Sequence, residues 1–492
     1  MEREENRRLY ARLKEYADSG IYPFHMPGHK RRCMPEETGE VYRMDITEID
    51  GFDNLHDARG ILREAQLYAA RLYGAEESFF CINGSTGAVL AAVSAVCRPG
   101  GRILIARNCH KSVYNAIEVN HLDVSYIYPQ VNSIYSVCEG IYPQDIDKEW
   151  IKYPDIQAIV ITSPTYDGVV SDLRQICSIA HGKGIPVIVD EAHGAHLPFS
   201  GYFPESALQC GADIVIHSMH KTLPAMTQTA LLHANGTLVD RERLRRMLTV
   251  YQSSSPSYIL MGSLDDCLHL LTSQGEAMFE EYTNRLEQLH GQLEGAERIR
   301  LLDLQDLDPE RSFDYDRSKL LLFAGPGTGG GKTLYQRLLS EYGLQLEMMT
   351  SEYVLAMTSV CDDEEGFCRL RDAVIRLDEE AKKTAPAPER SDDDKTAGAV
   401  RTQLPQPARI LPIWEAVRKD KEKLQLREAA GRIAAEYINL YPPGVPLLVP
   451  GEQISEEALR QIFHWEKAGM DVAGTYRHEN GEIMISVLRQ EG

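Results

Sequence analysis

HSMHKTLP, residues 217–224, follows directly on the apolar run ADIVI. A short run rich in β-branched side chains that ends on Ser, His, Lys and Thr reads as a buried strand delivering polar groups to its carboxyl end. Lys221 there is either a solvated turn lysine or an amine set aside for chemistry. The apolar strand before it and LPAMTQTALLH (223–233) after it can supply a partly desolvated setting. A lysine so placed releases its proton easily and becomes a nucleophile.

The same alternation runs upstream. DARGILREAQLYAARLYG (57–74) carries Ile61, Ala65, Tyr68 and Leu72 at helical spacing and stops at Gly74. ESFFCI (77–82) leads through NGST into AVLAAVSAVC, and RILIA (102–106) leads through RNCH into KSVYNAIEV. QAIVIT (157–162) is followed by SPTYDGVVSDLRQICSIAHGKG, and PVIVD (186–190) by EAHGAH. Short strands separated by helices predict an α/β fold with a mostly parallel sheet covered on both faces. Ligands of such sheets gather beyond the carboxyl ends of the strands. Every polar cluster just quoted falls at such an end.

Past residue 300 the texture changes. KLLLFAGPGTGGGKTLYQRLLSEYGLQLEMM predicts strand, turn, helix and strand, and RLRDAVIRLDEEA another helix, as in a smaller α+β C-terminal domain. TAPAPERSDDDKTAGAVRTQLPQP (384–407) is poor in large apolar side chains and reads as a mobile loop; YPPGVPLLVPGE (441–452) and the helical ISEEALRQIFHWEKAG after it read as folded. The divisions expected are an N-terminal segment at 1–55, a large domain at 56–300 and a C-terminal domain at 301–492.

A chain of 492 residues is too long for one small core. Its net charge of −21, with no long stripe of Lys and Arg, argues against a nucleic-acid partner. No run of 18 apolar residues marks a membrane span, and the first twenty residues read as an amphipathic helix rather than a signal peptide. Ten scattered cysteines without a CxxC pair fit buried thiols in a reducing cytoplasm.

GPGTGGGKT (325–333) invites a phosphate-binding-loop reading, which requires Gly five positions before the Gly-Lys pair. That position is Pro326; Gly325 and Gly327 are each one place out of register. A structural turn or a substrate-gating loop is the better reading.

Three strand ends carry the remaining chemistry. Gly84-Ser85-Thr86 opens a helix, where unpaired backbone N–H groups and two hydroxyls can hold a phosphate; an ordinary N-cap is the plain alternative. Asp190 ends PVIVD and can bind a substrate cation or a ring N–H, or merely cap the next helix. A metal held with His193 and His196 is not expected, because the pair lacks the helical pattern with a glutamate base. Lys221 is the third. A phosphate cradle, a carboxylate and a reactive amine on one sheet match the three handles of pyridoxal phosphate: its phosphate, ring nitrogen and aldehyde.

FHMPGHK (24–30), ITEIDGFDNLHDARG (46–60), NGSTGAV (83–89), ARNCHKSV (106–113), ITSPTYDGVVSDL (161–173), VDEAHGAH (189–196), HSMHKTLPAMTQ (217–228) and SSSPSY (253–258), in this order, resemble the motifs of the ornithine/lysine/arginine decarboxylases in their short bacterial form. The resemblance covers most of the chain. It implies the aspartate-aminotransferase fold (pyridoxal-phosphate fold type I), pyridoxal 5′-phosphate as cofactor, and decarboxylation of a basic amino acid, arginine slightly favoured over lysine and ornithine, to a polyamine-type amine. A transaminase or related lyase, and a silent scaffold of the same fold, are the alternatives.

By the same resemblance Lys221 is the Schiff-base lysine and Asp190 the partner of the ring nitrogen. Gly84, Ser85 and Thr86 are the phosphate turn; Ser218 and His220 are further cofactor contacts, His220 or Lys221 returning the proton. His110 is the ring that stacks on the cofactor, His193 lies beside it, and Thr162 or Ser163 touches its ring oxygen. The 1–55 segment is expected to contribute to the active site and dimer, and 253–258 to reach the partner's cofactor, giving a homodimer with shared active sites. Met219 replaces the threonine frequent in S-T-H-K, with little consequence expected, and SDDD (391–394) has no assigned role. The receiver-like domain of the long inducible enzymes is not seen, so their ring-shaped decamers are not expected. A cationic substrate tail calls for a buried acid: Glu352 is the first candidate, then Asp53, Asp167 and Glu191.

Overall fold

The computed structural model describes residues 8–20, 27, 39–132, 134–309, 312–384, 404–440, 444–467, 470, 472–478 and 481–490. FHMPGHK, apart from Pro27, most of the 384–407 stretch with its SDDD, and the first residues of YPPGVPLLVPGE lie outside them.

Seven strands form the main sheet: β1 (Glu77–Cys81), β2 (Arg102–Ala106), β3 (Asp123–Ile127), β4 (Ile156–Thr162), β5 (Val187–Asp190), β6 (Ile214–Ser218) and β7 (Ala230–Ala234). Their order is β1-β7-β6-β5-β4-β2-β3. Neighbours from β6 to β3 are parallel, whereas β7 is antiparallel to both β6 and β1. Every side chain of β5, β6 and β7 is buried, as strands covered on both faces require.

Helix α1 (Leu9–Asp18) buries Leu9 and Leu13, one turn apart. Helix α2 (Ile61–Tyr73) ends where Gly74 adopts a left-handed backbone that satisfies the last carbonyls. Helix α3 (Gly84–Val96) is apolar nearly all round and has nine of its thirteen residues buried, so it belongs in the interior. Helix α4 (Lys111–Val119) follows β2.

Helix α5 (Tyr258–Leu293), 36 residues and so about 54 Å long, is capped by the Ser257 side chain on the N–H of Leu260. It leads to a second sheet of β8 (Ile299–Leu301), β9 (Lys319–Ala324), β10 (Met348–Met349) and β11 (Tyr353–Met357), antiparallel in the order β10-β11-β9-β8. Residues 421–488 carry two small sheets and helix α6 (Glu456–Lys467) around a core of their own, including Leu426, Ile438, Leu448, Ile462 and Val487.

The glycine-rich turn is a packing device. The N–H of Gly325 donates to Arg298 O at 2.7 Å and that of Gly331 to Ser351 O at 2.9 Å, so neither is offered to a phosphate. Gly327 sits at φ +90°, and a Cβ there would lie 2.4 Å from Ala381 O. Gly327→Ala is therefore expected to lower stability by about 2 kcal/mol or more, read as a shift of the denaturant midpoint.

Candidate active site

Parallel pairing sets the strand ends side by side. Thr162 at the end of β4 pairs with Asp190 at the end of β5, and Asp190 with Ile216 of β6. Ser218 closes β6, and the single helical turn Met219–Thr222 carries Lys221. The Nζ of Lys221 lies 2.9 Å from Nε2 of His193. Burial lowers the pKa of Lys221 and Lys319 adds to this, while Asp190 and Glu347 oppose it. Burial also pushes the His193 ring well below the usual histidine range, with Lys221 and Lys319 adding to the effect. The neutral ring then accepts a hydrogen bond from the lysine.

Helix α3 presents its N-terminus to the same end of the sheet. Neither Ser85 nor Thr86 caps it: the N-cap position is Asn83, whose side chain makes no capping bond and instead donates to Tyr251 O. His110 caps α4, its Nδ1 accepting from the N–H of Ser112. It lies within electrostatic reach of Asp190 and Lys221, and burial lowers its pKa. The Nδ1 of His220 is bonded to Thr229 O at 3.0 Å. The hydroxyl of Ser163 accepts from the N–H of Ser171, which leaves Thr162 the freer of the two.

The groups gathered at these strand ends fit an aldehyde cofactor with an anionic tail. Among the described residues, Thr162 Oγ1, Ser218 Oγ and His193 Nδ1 are buried without a hydrogen-bond partner. Among the described residues, Asp190, 5% exposed, receives on its carboxylate only the N–H of Ala192 at 3.3 Å. Such groups are costly to leave unmatched, and a polar ring with hydroxyl, ring nitrogen and phosphate answers each of them.

The acids named for the substrate tail are mostly engaged elsewhere. Asp53 accepts from the backbone N–H groups of Asn54, Arg59, Gly60 and Leu62; despite its partial burial, these donors hold its carboxyl below the ordinary value. It is a loop cap rather than a substrate acid. Glu191 accepts from His217 Nε2 at 2.7 Å, from Ser206 Oγ and from the N–H of Ala207, which commits it to the core. Asp167 is buried, pushed up to about 6, and accepts from Tyr353 OH at 2.8 Å. Glu352 bonds Ser351 Oγ.

Sequence reasoning passed over Glu347, which acts on Lys221 and bonds Tyr166 OH. Tyr166 in turn packs on His193 at 4.7 Å between ring centres. Tyr166 stands inside the quoted SPTYDG motif, but nothing local to LQLEMM marks Glu347. Lys319 was missed too; its Nζ is buried on Asp316 at 2.8 Å, and Asp316 also meets His196 at 3.2 Å.

The model of the "Orn/Lys/Arg decarboxylase, major domain" matches residues 8–316, and that of the C-terminal domain matches 405–489. The chain belongs to the Orn/Lys/Arg decarboxylase family. An arginine decarboxylase of Bacillus subtilis is 32% identical over 490 residues, covering 98% of each chain. The uncharacterized protein YaaO of the same organism is 35% identical over 503 residues, 99% of this chain and all of that protein. The crystal structure of the Francisella novicida lysine decarboxylase LdcF superimposes with a TM-score of 0.82 at 20% identity, over 98% of this chain and 81% of that one, and shows the shared fold. The fold is the type I fold of pyridoxal-phosphate enzymes. As a member of this decarboxylase family the chain is a pyridoxal-phosphate-dependent carboxy-lyase that converts a basic amino acid to an amine and carbon dioxide.

Proposed function

We propose that the substrate is arginine and that Lys221, His193, Asp190, His110 and the α3 N-terminus are the working parts of its decarboxylation. The observation that carries this reading is the lysine–histidine contact of 2.9 Å beside a buried strand-end carboxylate. Pyridoxal phosphate, when bound, supplies the electron sink for the electrons of the Cα–carboxylate bond.

The chain's own groups do the rest. Lys221, with its pKa lowered by burial, offers an unprotonated amine for covalent attachment. Asp190 holds a proton on the ring nitrogen, since an ion pair favours the charged form of both partners. The N–H groups of Gly84, Ser85 and Thr86 bind the phosphate at the positive end of α3, with their two hydroxyls beside it. Thr162 and Ser218 hydrogen-bond polar atoms of the cofactor, and the His110 ring stacks on its face. Lys221 would deliver to Cα, in place of the departed carbon dioxide, a proton taken up from solvent, with the His193 ring holding its Nζ. His220 is held by Thr229 as a second contact behind the lysine.

Glu347 is the carboxylate that receives the substrate's distal cation, because it lies within electrostatic reach of Lys221 and bonds Tyr166 OH. Glu347→Gln is expected to raise KM for the amino acid by about ten- to a hundredfold with a smaller change in kcat, read from steady-state kinetics. The 32% identity with an arginine decarboxylase supports a guanidinium in that place.

We read segments 1–55, 56–300 and 301–492 as three working regions, and the enzyme as a cytoplasmic homodimer with shared active sites. Among the described residues no helix is long and apolar enough to cross a membrane. Ser253–Ser255 are exposed and Ser253 O accepts from His56 Nε2 at 2.8 Å, whereas Pro256 and Tyr258 of the same segment are buried, so it is the three serines that a partner can receive.

Arginine, lysine and ornithine labelled at the carboxyl carbon, supplied in turn, test the reading. Release of labelled carbon dioxide fastest from arginine is expected. Faster release from lysine or ornithine overturns the choice of arginine, and amino transfer to a keto acid without carbon dioxide overturns the assignment of reaction.

A further inference from the structure

Arg107 follows β2 and leads, through the buried residues Asn108 and Cys109, to His110. Its side chain does not turn to the active site. Nη1 donates to Pro446 O at 2.6 Å and to Tyr114 OH at 2.8 Å; Nη2 donates to Leu447 O at 3.1 Å and to the Glu452 carboxylate at 3.1 Å. Tyr114 OH donates back to Arg107 O at 2.7 Å, and the guanidinium also lies over the Tyr126 ring, 5.2 Å from its centre. Arg107 is 2% exposed and Glu452 0%. An ion pair this enclosed is expensive to assemble, and losing either partner leaves a buried charge unmatched.

The C-terminal lobe thus reaches the large domain at the helix that His110 opens. Trp414 stacks on His121 just past α4, at 5.0 Å, and Arg409 pairs with Asp123 at 2.9 Å. Glu452 also accepts the N–H of Val449 at 2.9 Å, so its carboxylate is fixed before it meets the arginine. On the other side, Arg107 N donates to Ile127 O at 2.8 Å and Cys109 N to Ala106 O at 3.0 Å. Two residues separate this anchored cation from the His110 ring, itself tied to Ser112.

We propose that Arg107 and Glu452 are positioning residues, and that docking of the C-terminal lobe through them fixes the 107–110 turn and hence the His110 ring at the cofactor face. The proposal rests on the reading of His110 as the stacking ring. The planar fork of arginine serves three acceptors of the lobe at once, which a lysine ammonium cannot reproduce. The lobe, with a core of its own, is in this view a clamp on the active site.

The test is a double-mutant cycle in the full chain loaded with pyridoxal phosphate, combining Glu452→Gln or Arg107→Lys with His110→Ala. Amide hydrogen exchange of residues 107–113 is followed in parallel on the cofactor-free protein. Glu452→Gln is expected to lower kcat about tenfold with KM within about twofold, and to speed exchange in the turn by about tenfold. In the His110→Ala background the same change is expected to leave kcat unaltered. An equal loss of kcat in both backgrounds, or unchanged exchange in the turn, overturns the proposal while the stacking role of His110 stands. An unimpaired His110→Ala single variant overturns that role and the positioning proposal with it. Should Glu452→Gln fail to fold, Arg107→Lys, which keeps the buried charge, is read by the same criteria.

Discussion

Lys221→Ala is expected to lower kcat by about a thousandfold or more and to abolish retention of the cofactor after borohydride reduction. Both effects come from one atom. The Nζ of Lys221 lies 2.9 Å from the ring of His193, a histidine that burial keeps neutral. On the proposed reading alanine removes the covalent attachment and the group that returns the proton, while the neighbouring strands keep their pairing because they depend on backbone bonds. The protein should therefore fold and still bind pyridoxal phosphate through the α3 N-terminus, but lose it on dialysis. Added small amines should restore part of the activity, with a rate that rises with amine concentration. A variant that retains activity within tenfold of the parent, or that stays covalently labelled, would show that the wrong amine has been identified.

Asp190→Asn is expected to cost about a hundred- to a thousandfold in kcat, with the visible band of the bound cofactor displaced. The side chain ends β5 in a position 5% exposed and, among the described residues, accepts one weak bond from its own turn, which on the proposed reading leaves most of its hydrogen-bonding capacity for a ligand. Asparagine keeps the shape and loses the charge. On the proposed reading, losing that charge removes what favours a proton on the ring nitrogen, so the electrons released with carbon dioxide would be less well received. The loss should fall on kcat more than on KM, since the ring nitrogen is remote from the substrate's distal cation. An unchanged absorbance spectrum together with normal kcat would separate Asp190 from the cofactor.

Much of this site could be read along the chain because parallel strands deliver their ends to one edge. The strand RILIA and the helix KSVYNAIEV appear in the structure with the boundaries their composition suggests. Two strands of the main sheet gave weaker signals. Asp123–Ile127 alternates polar and apolar residues at the sheet edge, and Ala230–Ala234 returns antiparallel within a few residues of Lys221, with no helix between to announce it. The acids considered for the substrate's cationic tail were less legible still. Asp53 and Glu191 sit in motifs and look available, yet backbone N–H groups claim the first and a buried histidine and serine the second. Glu347 has no motif around it and becomes visible only when β10 and the Tyr166 turn are brought together.

By itself the sequence determined the parallel α/β core, the strand-end lysine and carboxylate, and the misfit of the glycine run to a nucleotide loop, because each follows from local periodicity and spacing. Tertiary structure alone decided which carboxylates are free, which histidine touches Lys221, and how Arg107 joins a distant lobe 345 positions along the chain. Those are matters of burial and of competition among donors for each oxygen, and residues far apart in the chain settle them when they pack.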